Sequence, residues 1–370
     1  MRKLAIISGL LILHLSVMAA PYLGELSLFT TAAGAEADDI QVIARYLPAY
    51  ETQGAYSETW DYDVEMRYQV QWNSSLDTDE ISASSLVVEP YRLALNLQST
   101  NTEHIIGLQK INFGPARILR SLMWFDSVNP MDPLELTPGV TGISTTHFYP
   151  SGRSSQAWLL TPGDPIGWEA FADQSGTFET GGRITLPNNH GQLGVTTHWR
   201  VADISSLYPD DPDLYEGRIG FDGFWDIGIG LWIESVYKNQ RLSEDPFLEQ
   251  LQTTLGADYT IWIGNGLLIT TEHMMINMWN SPIVDDNDII LSTVMANYSP
   301  TMFDQLSLMF YLDWETETPL AYLSWGQTYD SFRFTLGAFY TDASTTQGSD
   351  ESLNSNFSGK GIQLIVAYNH

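Results

Sequence analysis

Between Glu58 and Asn73 every second residue is large and apolar. Trp60, Tyr62, Val64, Met66, Tyr68, Val70 and Trp72 alternate with Asp61, Asp63, Glu65, Arg67, Gln69 and Gln71. A period of two sustained over this length predicts a β-strand with one greasy and one wet face. Tryptophan stands at both ends of the greasy face. At ~3.3 Å per residue and ~40° of tilt the two rings are about 30 Å apart, close to the spacing of the two headgroup levels of a membrane. The stretch therefore reads as a strand facing lipid. A long edge strand of a soluble β-domain would alternate in the same way, so the rest of the chain has to decide.

The pattern returns throughout the chain. Tyr91, Leu93, Leu95 and Leu97 alternate with polar residues; Leu193, Val195, Thr197, Trp199 and Val201 share a face, as do Leu255, Ala257, Tyr259, Ile261 and Ile263. Leu306, Leu308, Phe310, Leu312 and Trp314 give the cleanest run, and Ile362, Leu364, Val366 and Tyr368 the last. The connections between these strands tend to alternate between tight, as at Pro187 to His190 or Thr328 to Ser331, and long, as at Gly114 to Val140 or Ala343 to Asn356. Short periplasmic turns and long outer loops are the signature of an outer-membrane barrel, and a soluble sandwich has no reason to sort loop lengths by parity. The expected fold is an all-β transmembrane antiparallel β-barrel of about 16 strands, with 14 or 18 as alternatives.

Arg2 and Lys3 precede an apolar run from Leu4 to about Met18, which reads as a secretory signal peptide. Small residues permit cleavage after Ala19 or after Ala35. The second is preferred, because acid-rich Glu36 to Asp39 would then open the mature chain. This divides the chain into a leader at 1–35, a segment at 36–57 lying at the periplasmic mouth or in the lumen, and a barrel at 58–370. Pro48 weakens 40–50 as a central strand, and a seventeenth strand would forbid both termini lying inside. Eighteen requires a further strand upstream.

Composition narrows the function. After the leader no stretch is long and apolar enough for a spanning helix. Cysteine is absent, which excludes disulfides and thiolate metal sites. Lys and Arg number 16 against 45 Asp and Glu, so a basic patch for nucleic acid is not expected. Projecting the inner parity places Arg67, Arg92, Arg183, Arg200, Arg218, Lys238 and Arg333 in the lumen, facing Asp61, Asp63, Glu65, Glu179, Glu216, Asp222, Glu234, Asp258, Glu272 and Asp313. Opposed charges across a wet channel orient and filter small polar solutes, and a barrel of ~16 strands is too wide for side chains alone to fill.

Gly107-Leu108-Gln109-Lys110-Ile111-Asn112-Phe113-Gly114, followed by Asn129-Pro130-Met131-Asp132, resembles outer-membrane porin-like proteins, including the alginate-export type. Their strand G-x-Q-x-x-x-[WF]-G is followed by N-P-x-D. Such families often carry Arg after the first glycine; Leu108 stands there, so a substrate contact made by that Arg does not carry over. By analogy with porins, the segment after Gly114 folds inward as a constriction carrying Arg117, Arg120, Asn129 and Asp132. An ordinary outer loop is the alternative. The final strand, Gly361 to His370, looks like the signal read by the barrel-assembly machinery, which usually ends in Phe rather than His.

No H-E-x-x-H, G-x-S-x-G or phosphate loop is present. Acidic runs such as Asp210-Asp211-Pro212-Asp213 lack the ligand spacing of an EF-hand and read as solvated loops. The expected function is an outer-membrane channel of a Gram-negative-type bacterium for passive diffusion of small polar solutes or ions. It is expected to be weakly cation-selective, because inward acids outnumber inward bases, and to use no metal, cofactor or catalytic group. Alternatives are a barrel hydrolase of lipid or peptide and a secreted acidic glycan-binding β-protein.

The face assignment makes a direct prediction. Arg at Leu308, Phe310 or Leu336 should cost ~2 to 4 kcal/mol, the penalty for a cation on a barrel's lipid face, whereas Arg at Ser307, Met309 or Thr335 should be tolerated. Urea unfolding in lipid vesicles measures both sets, and equal damage on the two parities would refute the assignment.

Overall fold

The computed structural model describes residues 23–33, 39–77, 80–127, 134, 136–242, 246–280, 287–341 and 359–370. They form one antiparallel sheet of 18 strands that closes on itself. In chain order these are β1 (Leu23–Ala33), β2 (Asp39–Ala55), β3 (Asp61–Asp77), β4 (Glu80–Gln98), β5 (Thr102–Gln109), β6 (Val140–Phe148), β7 (Ser154–Leu160), β8 (Glu179–Asn188) and β9 (Gly191–Asp203). They continue with β10 (Asp213–Asp226), β11 (Gly230–Arg241), β12 (Pro246–Ile261), β13 (Leu267–Trp279), β14 (Asn287–Tyr298), β15 (Asp304–Asp313), β16 (Thr318–Tyr329), β17 (Phe332–Thr341) and β18 (Lys360–Asn369). Each strand pairs with its sequence neighbours. β1 closes the ring between β18 and β2, from Leu28 against Val366 on one side to Leu28 against Ala44 on the other.

The count is therefore 18 rather than about 16, and the difference lies wholly at the N-terminus. Residues 39–55 are wall rather than a segment in the mouth, and the barrel begins at Leu23, not Glu58. A cut after Ala35 would remove the closing strand; a cut after Ala19 leaves it whole. The signal peptide itself lies outside the described residues. Pro48 is accommodated because the β2–β3 pairing stops at Tyr46 opposite Val70 and resumes at Ala49 opposite Arg67, so no ladder bond is asked of its missing N–H. β3 and β4 pair as one long hairpin, from Asp61 opposite Gln98 to Asp77 opposite Glu80. β10 and β11 pair as far as Asp226 opposite Gly230, and the turn between them contains Gly228, whose φ of 91° suits glycine.

Loop parity holds. The termini share one end, where Gly24 and His370 exchange two backbone hydrogen bonds of 3.1 and 3.0 Å, and every connection at that end is short. His370 stacks on Tyr46 and Tyr368. The long connections after β5, β7, β9 and β17 leave the other end. The faces also divide as expected, with Phe310, Leu323 and Ile362 each more than half exposed on the outside while Thr254 and Glu272 inside are almost wholly covered. This greasy exterior demands a bilayer. Among the described residues no helix could cross one, so the strands do.

One expectation fails within the lumen. Met309 points inward but is buried against Ala33, Tyr322 and Phe339, and Thr335, though it borders the open cavity, is almost wholly covered, so Ser307, which lines that cavity, is the position of the three that should accept Arg most freely. The seam gives a second prediction. N-terminal sequencing of the processed protein should begin upstream of Leu23, and deleting 23–35 should abolish the heat-modifiable gel shift of a folded barrel, because β2 and β18 would be left with unpaired edges in lipid. A folded shift in that deletion would refute the closure.

Candidate functional site: the lumen and its inward segments

β5 is only eight residues long, and from its end the chain turns into the lumen. Lys110 and Asn112 are exposed while Ile111 and Phe113 between them are buried, so an extended stretch shows one face to water and the other to a core. That core contains Ile111, Phe113, Leu122, Trp124 and Phe125 from the inward segment, with Val140, Trp158, Leu160 and Val236 from the wall. Phe113 stacks on Trp158 and meets Trp124 and Phe125 edge-on. An apolar nucleus of this kind inside a wet barrel holds the segment against β6, β7 and β11 by burial.

Two wall carboxylates then fix its path. Glu234 accepts the backbone N–H groups of Ala116 and Leu122, each at 2.9 Å. Glu272 accepts three in succession, from Arg117 at 2.7 Å, Ile118 at 2.9 Å and Leu119 at 2.6 Å, and a fourth bond from the indole of Trp232 at 3.1 Å. Charge-assisted bonds of this type are the stronger ones, and the buried donors, those of Ala116, Leu119 and Leu122, would otherwise lack a partner. Gly114 has φ of 94°, and a Cβ there would lie 2.2 Å from the Glu234 carboxylate; the motif glycine is where the backbone passes close against its clamp. Gln109 belongs to the same entrance, accepting from Ser144 and donating to the carbonyls of Ile105 and Gly142.

Arg120, expected at a constriction, is instead an internal brace. It is buried, paired with Asp126 and bonded to Asn112 and the carbonyl of Phe113. Arg117 does face the open lumen, lying over Trp232 and paired with Asp258. Asn129 and Asp132 lie outside the described residues.

The connection at 161–178 also folds inward. Arg200 bridges Glu216 at 2.9 Å, Asp173 at 3.0 Å and Glu169 at 3.2 Å, and Arg218 bridges Glu169 at 2.7 Å. Trp168 donates its indole N–H to the carbonyl of Arg120 at 2.7 Å, which ties the two inward segments together. Burial pushes Asp173 up to about 6, with the Glu179 carboxylate adding to the shift and Arg200 opposing it. Such a raised acid makes the fold lose stability as pH climbs from the ordinary carboxylate range to about 6.

The residues projected inward thus separate into groups. Arg183 makes a bidentate pair with Asp222 at 2.6 and 2.9 Å. Together with Arg200, Arg218 and Glu272 it belongs to the filled half of the barrel. Arg92 supports the returning chain by donating to the carbonyl of Thr137 at 2.9 Å. Arg67 bridges Glu51 and Glu65 at 2.5 and 3.0 Å, while Asp61 and Asp63 are exposed nearby at the tight-turn mouth. Asp313 accepts from the N–H of Glu315 at 2.9 Å in the turn after β15, away from the residues that line the open cavity. Arg333 faces the open cavity.

That cavity measures about 860 Å³ and lies between the inward segment and β14 to β17. Lys110, Asn112 and Arg117 form one side; Asn297, Gln305, Ser307, Ser324, Thr335 and Arg333 face them. Asp304 also borders it, but its carboxylate accepts from Thr301, Trp325 and Gln327 at the turn. Sequence patterning missed the apolar nucleus. Its signal was the run Ala157-Trp158-Leu159-Leu160, apolar on both faces of β7, which is what a wall strand buried on its inner side requires.

The chain matches no protein-family model and no curated protein sequence. Its fold is similar to those of several solved Gram-negative outer-membrane barrels. Wzi of Escherichia coli, described as a carbohydrate-binding β-barrel involved in group 1 capsule assembly, aligns at a TM-score of 0.58 and 14% identity over 96% of this chain and 86% of its own. Pseudomonas aeruginosa OpdQ aligns at 0.54 and 11% over 95% and 99%, and the anion-selective porin of Comamonas acidovorans at 0.50 and 11% over 94% and 98%. The architecture is that of the porin-like outer-membrane barrels, as the strand pattern implies; the alginate-export resemblance rests on the motif alone.

The clamp is testable. Glu272→Ala strands three backbone donors, at roughly 1 to 3 kcal/mol each, so trypsin should cut after Arg117 or Arg120 in the variant while the barrel keeps its heat-modifiable shift. Resistance equal to that of the unaltered protein would show that the carboxylate does not hold the segment.

Proposed function

We propose that the protein is an outer-membrane channel that passes small polar solutes through a lumen narrowed by its inward segments, with anions favoured over cations. The observation that carries the reading is the division of the lumen. One half is filled by the apolar nucleus and the ion-pair network; the other holds a polar cavity bordered by Lys110 and Arg333, by Arg117, which pairs with Asp258, and by Asp304, which is bonded at the turn. This reverses the weak cation preference expected from counting charges. Most acids in that count are engaged elsewhere: Glu234 and Glu272 hold backbone, Asp222 and Glu216 hold arginines. Ions feel the charges within about 8 Å at physiological salt, so a local basic lining outweighs acids bound elsewhere.

The greasy exterior argues against the secreted alternative. Against the hydrolase, the described cavity wall carries serines but no histidine to activate them. A barrel that binds a solute without conducting it is a second reading, favoured by the apolar packing at the cavity's outer end; the likeness to Wzi, itself described as carbohydrate-binding, points the same way.

Planar-bilayer recording tests the proposal. Purified protein should give stepwise currents whose reversal potential in a KCl gradient reports anion preference, and Lys110→Glu with Arg333→Glu should invert it. Absence of current that persists when Glu272→Ala frees the inward segment would favour the binding reading, and a cation preference in the unaltered protein would sink the charge argument.

A further inference from the structure

This inference rests on the channel reading and identifies what limits passage. Ile118 packs against two apolar clusters at once. One contains Ala33, Met309, Tyr322 and Phe339, with Met295 and Leu320 beside them; the other contains Leu119, Met274, Ile276 and Leu291, with Tyr311 beside them. Wall residues from β1 and β13 to β17 thus converge on one side chain of the inward segment. Ile118, Met295 and Tyr322 also line the cavity, so its outer end is the underside of this apolar collar. Below the collar the facing wall residues Asn297, Gln305, Ser307, Ser324, Thr335 and Arg333 are polar; at the collar the wall is aliphatic and aromatic.

We infer that Ile118 is the gate residue of the lumen, an apolar constriction held shut by the Glu272 carboxylate through the backbone of Arg117 to Leu119. Narrow apolar rings exclude water and so ions, and they open by wetting or withdrawal. Glu272 positions the gate without touching a permeating solute: its four bonds are all to Trp232 and the backbone of the gate itself. Phe339 and Tyr322 form the fixed side, with the Tyr322 hydroxyl bonded to Gln363 at 3.1 Å. The wall side is therefore rigid, and release of residues 117–119 is the movement that opens the path.

The absence of cysteine from the chain makes accessibility a clean test. Ser307→Cys lies in the cavity, and in planar bilayers a membrane-impermeant thiol reagent should modify it from the tight-turn side on the order of tenfold faster than from the loop side if the collar excludes water. Adding Ile118→Ser should make the two rates alike, and adding Glu272→Gln should make loop-side labelling intermittent with a raised rate. Equal rates from both sides with Ile118 intact, or an unchanged asymmetry in the serine variant that keeps its heat-modifiable shift, would overturn the gate. Currents separate the two ideas. If Ile118→Ser labels from both sides yet passes no ions, the gate stands and the channel reading falls; if the unaltered protein already conducts as freely as the variant, the channel stands and the gate falls.

Discussion

A β-barrel in lipid has no tolerance for an unpaired edge, and in this chain that demand falls on eleven residues, Leu23–Ala33. Their backbone groups are shared between β18 and β2, and with no water in the hydrocarbon region to replace those bonds the ring either closes through them or does not stand. Much else depends on that closure. It brings both termini to one end, puts the tight turns there, and sets the long connections at the other. It also fixes a lumen wide enough that two of those connections can fold back inside.

A count of charges is not a map of the field on the inner surface. Its acids are numerous, but an acid that accepts three backbone N–H groups, as Glu272 does, or that neutralises a buried guanidinium, as Asp222 does, contributes structure rather than field. Removing one partner of such a set is costly because the other is left charged or polar in a dry place. The basic residues, by contrast, split between braces such as Arg120 and the exposed Lys110 and Arg117. Selectivity follows from which charges remain in contact with water.

Legibility in the sequence tracked the physics of each part. Strands from β3 onward were readable because lipid on one side and water on the other impose strict alternation, as in Leu306 to Leu312. β1 was hidden because LGELSLFTTAA follows directly on an apolar leader and carries small and hydroxylated residues where lipid-facing aromatics would have marked it; only the need for an even count pointed to it. The inward turn at Gly114 could be suspected from the motif but not its anchors, because Glu234 and Glu272 look like any other inward acid. Arg120 meets the same limit: nothing local tells a brace, paired with Asp126, from a pore-lining cation.

The distance along the chain between the inward segment and its clamps governs how the molecule can be made. The N–H groups of Arg117 to Leu119 wait for a carboxylate 153 to 155 residues further on, and that of Ala116 for one 118 residues further on. Closing loops of that length is entropically expensive and slow. The segment has no final partner until β11 and β13 exist, while its own apolar side chains are already available to any other greasy surface. Biogenesis therefore carries an interval in which Phe113, Leu122 and Trp124 have to be kept from misassociation, and lumen and wall reach completion as a single late event.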